Sequence, residues 1–229
     1  GLVAREYLGQ MEDEDWRRAP VHRLVTVGTP NAGFYTPAHG VLGAMKHSVE
    51  RRVALNNSMR RNFCMATIVS DPYHPEEFTQ AKADGAGLVG VNAVAALNNQ
   101  VQGALSTPQG RRRKENMLRL RDGVCVIGSA KDTVIRPAES TIFGFYKLQG
   151  EGARARLQLC MMEGTALFKD PDDPIGLREL DAKGKLVRVW REDAGHSDWH
   201  RNYDIMLDRL PRGDDAWLQT KLDILSQHI

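Results

Sequence analysis

Two ionisable residues, Asp132 and His196, each stand in a loop of small residues directly after a short apolar run. One loop runs from Gly128 to Asp132, and the other surrounds His196 between Asp193 and Ser197. A neutral imidazole can take a proton from a nucleophile near neutral pH, and a carboxylate on its far nitrogen fixes its tautomer. Asp before His is the order of the acid and base in one class of serine hydrolases. The pair predicts hydrolytic chemistry, with a turn-capping aspartate and an ordinary surface histidine as the alternative.

Three short apolar segments would position these two loops and a third loop, from Gly28 to Gly33. They are His22 to Gly28, Val124 to Gly128 and Leu186 to Trp190, and a polar or glycine-rich loop follows each one. Buried strands that alternate with loops and helices predict a mostly parallel α/β sheet, whose ligands collect beyond the carboxyl ends of the strands. We therefore expect Asp132 and His196 at the same edge of the sheet.

The rest of the chain is mostly helical in pattern. We expect a single domain over residues 1–229, with a helical cap inserted at about 41–120. Helical apolar stripes run from Trp199 to Leu210 and from Leu218 to Ile229, and both are expected to pack on the sheet.

The nucleophile of this chemistry belongs in a G-x-S-x-G turn between a strand and a helix. No such motif occurs in the 229 residues. In the first residues, Gly1 to Leu8, the apolar residues Leu2, Val3 and Tyr7 have near-helical spacing, and the segment looks like the helix that follows such a turn. We expect the serine a few residues before Gly1, with the N-terminal part of the fold missing from this chain and the oxyanion donors lying there too.

The composition argues against several other classes of protein. Hydrophobic residues make up 41% of the chain and charged residues 26%, which is typical of a globular domain rather than a disordered one. The net charge is +2 without a long basic tail, so nucleic acid is not an expected partner. The longest uncharged stretch, Gly85 to Gly110, is broken by amide side chains, so no membrane span is expected.

The cysteines and histidines do not form a metal-binding pattern. Cys64, Cys125 and Cys160 are far apart with no CxxC pair, so neither a zinc ribbon nor a dense disulfide framework is expected, while one disulfide stays open. His196 and His200 are four residues apart, but no third ligand stands nearby. We expect no metal and no cofactor.

A run of basic residues from Arg111 to Lys114 has two interpretations. It is typical of the solvated start of a helix, and it could also attract acidic substrates such as the phosphates of acyl-CoA.

Several segments resemble the palmitoyl-protein thioesterase family, lysosomal α/β-hydrolases that cleave fatty acyl thioesters. The most specific is the acidic loop from Asp132 to Pro137, followed at a fixed distance by Phe143-Gly-Phe-Tyr146. The other similar segments are Ser70 to His74, Ile175 to Leu180 and Gly195 to His200. By this resemblance the catalytic aspartate is Asp132 and the catalytic histidine is His196. The loop from Gly28 to Gly33 departs from the glutamine-containing versions of one branch, which leaves the acyl-chain preference open.

The resemblance implies an α/β-hydrolase fold and hydrolysis of long-chain fatty acyl thioesters in the lysosome or secretory pathway. The expected substrates are S-acylated proteins, peptides or acyl-CoA. A lipase or carboxylesterase acting on oxygen esters is one alternative, and a noncatalytic hydrolase-like binding protein is another. The cap residues that could line a groove for the acyl chain, or equally belong to the core, are Phe63, Met65, Ile68, Leu88 and Val91.

Overall fold

The computed structural model describes residues 1–36, 67–79, 82–84, 87–89, 92–150 and 155–201. The α-helices are α1 Leu2–Gln10, α2 Asp13–Arg18, α3 Glu76–Thr79, α4 Ala93–Leu97, α5 Pro108–Arg119, α6 Ala166–Lys169, α7 Leu177–Ala182 and α8 Asp198–Arg201. The strands are β1 Arg23–Val27, β2 Lys82–Asp84, β3 Gly87–Val89, β4 Gly123–Ser129, β5 Phe145–Gln149, β6 Arg156–Cys160 and β7 Leu186–Arg191. Short 3-10 helices cover Ala104–Ser106, Ala138–Ile142 and Met162–Gly164.

The three strands predicted from the sequence form one parallel sheet in the order β1-β4-β7. Leu24 pairs with Val124, and Val124 pairs with Leu186 on its other side. The central strand β4 is buried along its whole length because neighbours cover both of its edges and helices cover its faces. This confirms the mostly parallel α/β architecture.

The core lies where helices pack on this sheet. Met117 and Leu120, at the end of α5, are buried together with Leu8 of α1 and Val124 of β4. The loop after β4 adds the buried residues Ile142 and Phe143, and α7 adds Leu177 and Leu180. Burial of such side chains stabilises the fold by about 1.5–3 kcal/mol each.

Two antiparallel hairpins differ from the helical pattern expected outside the main sheet. β2 pairs with β3 inside the segment predicted to be a helical cap, and β5 pairs with β6 after the Asp132 loop. The β5–β6 segment alternates apolar and polar residues, the two-residue period of a half-buried strand. Residues 41–66 of the predicted cap lie outside the described residues, so the bounds of the cap stay a prediction.

Helix α1 begins at Leu2, within the segment predicted to be helical, but it buries a different face from the expected one. Val3 is 83% exposed and Tyr7 67% exposed, whereas Arg5 and Leu8 are buried. In the described part of the chain, no helix has the length and apolar character needed to cross a bilayer.

The chain divides into two units, Gly1–His196 and Ser197–Ile229. Only residues 197–201 of the second unit are described, and they contain α8. The remainder of the two C-terminal stripes predicted from the sequence lies outside the described residues.

Candidate active site

The structure brings Asp132 and His196 together at the carboxyl edge of the sheet. His196 Nδ1 lies 2.9 Å from Asp132 Oδ2, across 64 residues of sequence. The aspartate side chain is fully buried, and the imidazole is 26% exposed. A proton on Nδ1, donated to the carboxylate, puts the basic lone pair on Nε2, which is the tautomer that a general base requires.

The second oxygen of the Asp132 carboxylate holds its own loop. Oδ1 accepts hydrogen bonds from the backbone N–H groups of Val134 and Ile135, both at 2.9 Å. The Asp132 N–H donates to the carbonyl oxygen of Ser129, the last residue of β4. Asp132 thus both caps a turn and contacts His196, so the two interpretations of this residue hold together. A buried carboxylate with three donors around it is strongly fixed in orientation.

The His196 loop is tied to the Asp132 loop where β7 ends. The N–H of Ala130 donates to the carbonyl oxygen of Arg191 at 2.9 Å, which extends the β4–β7 pairing by one step. The Arg191 guanidinium also contacts the Asp193 carboxylate through both of its oxygens at 2.9 Å. These bonds set the path of the chain that leads to His196.

The start of α1 reaches the same edge of the sheet. A Cβ built on Gly1 would collide with the side chain of Thr29, in the loop that follows β1. In this loop Asn31 is fully buried, and its amide nitrogen donates to Thr26 Oγ1 at 3.0 Å and to the Thr141 carbonyl oxygen at 2.8 Å. The N-terminus of α1 therefore lies beside the β1 exit loop.

Arg5 connects α1 to that loop through a buried cation. Its guanidinium donates to both oxygens of Asn31 at 3.3 Å and to Asn98 Oδ1 at 2.6 Å, and it lies 5.3 Å from the centre of the Phe143 ring. Burial and, to a smaller extent, the positive charge of Arg113 together lower the pKa of Arg5 to about 10. Neither Arg5 nor Asn31 stands out in the sequence as a functional residue. The one signal available, an arginine among the apolar residues of a short helix, does not separate a buried cation from a solvated one.

A cavity of about 330 Å³ borders the loops after β1 and β4. Its apolar lining includes Ala32, Phe78, Ala95, Phe143, Leu148 and Leu167. Of the residues expected to line an acyl groove, Ile68 is buried and is not part of this lining. The side chains of Phe63, Met65, Leu88 and Val91 lie outside what the structure describes.

Within the basic run from Arg111 to Lys114, two of the four cations are paired with acids. Arg112 contacts Glu12 at 3.1 Å, and Arg113 contacts Glu6 at 3.0 Å. Lys114 donates to the carbonyl oxygen of Asp172 at 2.7 Å. These contacts favour a structural role for the start of α5 over recognition of an acidic substrate.

The described side chains contain no group of three His, Cys, Asp or Glu residues arranged to hold a metal ion. The side chain of His200 is outside the described set. Cys125 and Cys160 carry free thiols, and burial raises the pKa of Cys125 to about 11. Cys64 lies outside the described residues, so its pairing stays open.

A parallel sheet with an acid and a histidine in loops at its carboxyl edge is the arrangement of an α/β-hydrolase. A family model described as palmitoyl protein thioesterase matches residues 1–196, a range that includes both Asp132 and His196. The chain belongs to the palmitoyl protein thioesterase family.

Individual relatives carry the name lysosomal thioesterase. The chain is 24% identical to lysosomal thioesterase PPT2 of Bos taurus and 25% identical to that of Homo sapiens, in each case over 204 residues. Those alignments cover 88% of this chain and 58% of the relative. Identity to lysosomal thioesterase PPT2-B of Xenopus laevis is 29% over 222 residues, or 95% of this chain and 65% of that protein. The chain spans less than two thirds of the length of these relatives.

Proposed function

We propose that the protein hydrolyses fatty acyl thioesters, with His196 as general base and Asp132 as the residue that orients it. The 2.9 Å contact between His196 Nδ1 and Asp132 Oδ2 carries this proposal, because it joins a histidine and a carboxylate from two different strand exits. Membership in a thioesterase family supports the same reaction.

The proposed reaction has two steps. A serine oxygen attacks the thioester carbonyl carbon while His196 Nε2 accepts its proton, and Asp132 stabilises the imidazolium that forms. The C–S bond then breaks, and His196 returns the proton to the leaving thiolate. In the second step water attacks the acyl-serine with His196 again as base, which releases the fatty acid and restores the serine.

We propose that the serine lies a few residues before Gly1, as expected from the sequence. The contact between Gly1 and Thr29 supports this position, because it puts the start of α1 at the edge where Asp132 and His196 meet. The positive end of the α1 dipole would then contribute to stabilising the oxyanion, whose hydrogen-bond donors are expected before Gly1.

Long-chain acyl thioesters are the proposed substrates, carried either on proteins and peptides or on coenzyme A. A thiol has a pKa near 8.5, so it leaves with less protonation than an amine needs. The apolar lining of the 330 Å³ cavity supports an apolar acyl group. The names of the relatives support a lysosomal location.

The test compares hydrolysis of a palmitoyl thioester and the matching oxygen ester by the full-length protein and its His196→Ala variant. We expect faster turnover of the thioester and a loss of several orders of magnitude in the variant. A clear preference for the oxygen ester would identify a lipase or carboxylesterase. Absence of turnover on both substrates would favour a noncatalytic binding protein, and equal activity of His196→Ala would refute the assignment of the base.

A further inference from the structure

The 330 Å³ cavity extends along strand β5, away from the carboxyl edge of the sheet. Beside the sheet it is lined by Ala32, in the loop after β1, and by Phe143, between β4 and β5. The Ala32 N–H donates to the carbonyl oxygen of Ser140 at 3.2 Å, which joins these two segments. Tyr146 and Leu148 line the cavity further along the chain, on one face of β5. Two residues advance a strand by about 7 Å, so the lining leads outward from the sheet.

The lining residues differ in exposure from one part of the cavity to another. Phe143 is 1% exposed, and Phe78 of α3 is also buried. Leu148 is 40% exposed, and Gln100 and Ala166, which line the cavity too, are exposed. The cavity is therefore buried beside the sheet and opens to solvent near Leu148 and Ala166.

The buried polar side chains of the lining have hydrogen-bond partners within the protein. Asn98 Oδ1 accepts from the Arg5 guanidinium at 2.6 Å, and the Thr165 hydroxyl donates to the carbonyl oxygen three residues earlier, also at 2.6 Å. Asp71 Oδ1 accepts from the Tyr73 N–H at 2.9 Å. These bonds lie in the wall of the cavity and leave its interior suited to an apolar group.

The volume of the cavity limits how much of an acyl chain it can hold. It is about 330 Å³. An apolar protein cavity of about 150 Å³ holds the six carbons of benzene, so this one has room for about a dozen carbons. A palmitoyl chain is longer than that, and its last carbons would pass Leu148 into solvent.

We propose that this cavity sets how the rate of hydrolysis depends on acyl-chain length, because it buries about the first twelve carbons and leaves the others in solvent. The inference rests on the proposed thioesterase function and adds chain-length selectivity to it. Each buried methylene stabilises the bound chain, which corresponds to about a fourfold gain in kcat/KM, whereas a methylene in solvent contributes nothing.

The test measures kcat/KM of the full-length protein for a series of acyl thioesters from hexanoyl to palmitoyl, each below the concentration at which it forms micelles. We expect about a fourfold rise per methylene up to dodecanoyl and a constant value from there to palmitoyl. Ala166→Phe adds a ring at the open end of the cavity. In this variant the rise should stop several carbons earlier, while the hexanoyl thioester keeps its wild-type kcat/KM.

Ala19→Phe is the matched control. Ala19 directly follows α2 and is exposed like Ala166, but it does not line the cavity. We expect this variant to keep the chain-length dependence of the wild type.

A rise in kcat/KM that continues to palmitoyl would overturn the proposal, as would one that ends at the same length in Ala166→Phe and the wild type. Failure to hydrolyse any of the thioesters would instead refute the proposed function. Calorimetric binding of the free fatty acids to the same proteins then tests the cavity without catalysis. Affinity that levels off at dodecanoic acid supports the proposal, and affinity that rises through palmitic acid contradicts it.

Discussion

Charged side chains are used in opposite ways in the helical layer and at the carboxyl edge of the sheet. In the helical layer formed by α1, α2 and α5, exposed or half-buried cations pair with acids: Arg113 contacts Glu6 at 3.0 Å and Arg119 contacts Asp13 at 2.6 Å. At the carboxyl edge, by contrast, the Asp132 carboxylate is buried against a histidine.

Burial determines how strongly each of these charges affects the stability of the fold. The Arg119–Asp13 pair is 44% and 81% exposed, so water screens it and it adds little stability. The Asp132 carboxylate is fully buried, and a buried charge without partners would cost several kcal/mol. Its three hydrogen-bonding contacts offset that cost. The contacts of the basic run are thus structural, whereas Asp132, a lone acid in its loop, belongs to the candidate site.

The largest expected effect is that of Asp132→Asn. The amide oxygen can still accept from Val134 and Ile135, so the loop should keep its fold. The amide NH₂ facing His196 would instead favour the tautomer with a proton on Nε2, which cannot act as a base. We expect kcat/KM for a palmitoyl thioester to fall on the order of 10³- to 10⁴-fold with little change in Tm. Wild-type kinetics in this variant would assign Asp132 to the turn alone.

Arg5 joins the two regions, and its loss should be costly to stability. In Arg5→Met the buried acceptors Asn98 Oδ1 and the Asn31 carbonyl oxygen lose donors, and we expect unfolding free energy to drop by about 3 kcal/mol. Urea denaturation followed by tryptophan fluorescence measures it. Arg5→Lys keeps the charge but not the planar guanidinium, so its unfolding free energy should lie between those of the wild type and Arg5→Met. Equal stability of all three proteins would contradict the network.

Asn116 tests the helical layer by itself. Its Oδ1 accepts from the Trp16 indole at 2.9 Å, and its Nδ2 donates to the carbonyl oxygens of Leu8 and Met11. Asn116→Ala should lower the unfolding free energy by about 2 kcal/mol because these buried groups lose their partner. Thioester kcat of the folded variant should stay unchanged. A selective loss of kcat, with stability intact, would mean that the helical layer is not separate from the site.

The smallest expected effect belongs to the exposed ion pairs. Arg119→Gln breaks the contact with Asp13, and we expect a loss of less than about 1 kcal/mol that shrinks further at high salt. Chemical denaturation at two salt concentrations measures it, with Arg112→Gln as the matched variant. A loss above 2 kcal/mol that persists at high salt would place this pair among the buried contacts instead.

The sequence was informative about the strands and the two polar residues that follow them. Short apolar runs that end in small residues predicted β1, β4 and β7, and the carboxyl edge of a parallel sheet then brought Asp132 near His196. Each of these inferences needs only local pattern and the geometry of a parallel sheet.

The remainder depends on contacts between distant segments. Arg112 and Glu12 are 100 residues apart in sequence, so the local basic run gave no sign of this ion pair. Arg5 is buried and Tyr7 exposed because amide and carbonyl acceptors from other segments surround the guanidinium. Helical spacing alone predicts the reverse.

The most direct test of the central claim is covalent labelling of the full-length protein by a fluorophosphonate, which reacts with a serine only when a base activates it. We expect rapid labelling of the wild type and labelling slowed by several orders of magnitude in His196→Ala. Labelling of His196→Ala at the wild-type rate, or no labelling of the wild type beside a reactive control hydrolase, would contradict a catalytic role for the Asp132–His196 pair.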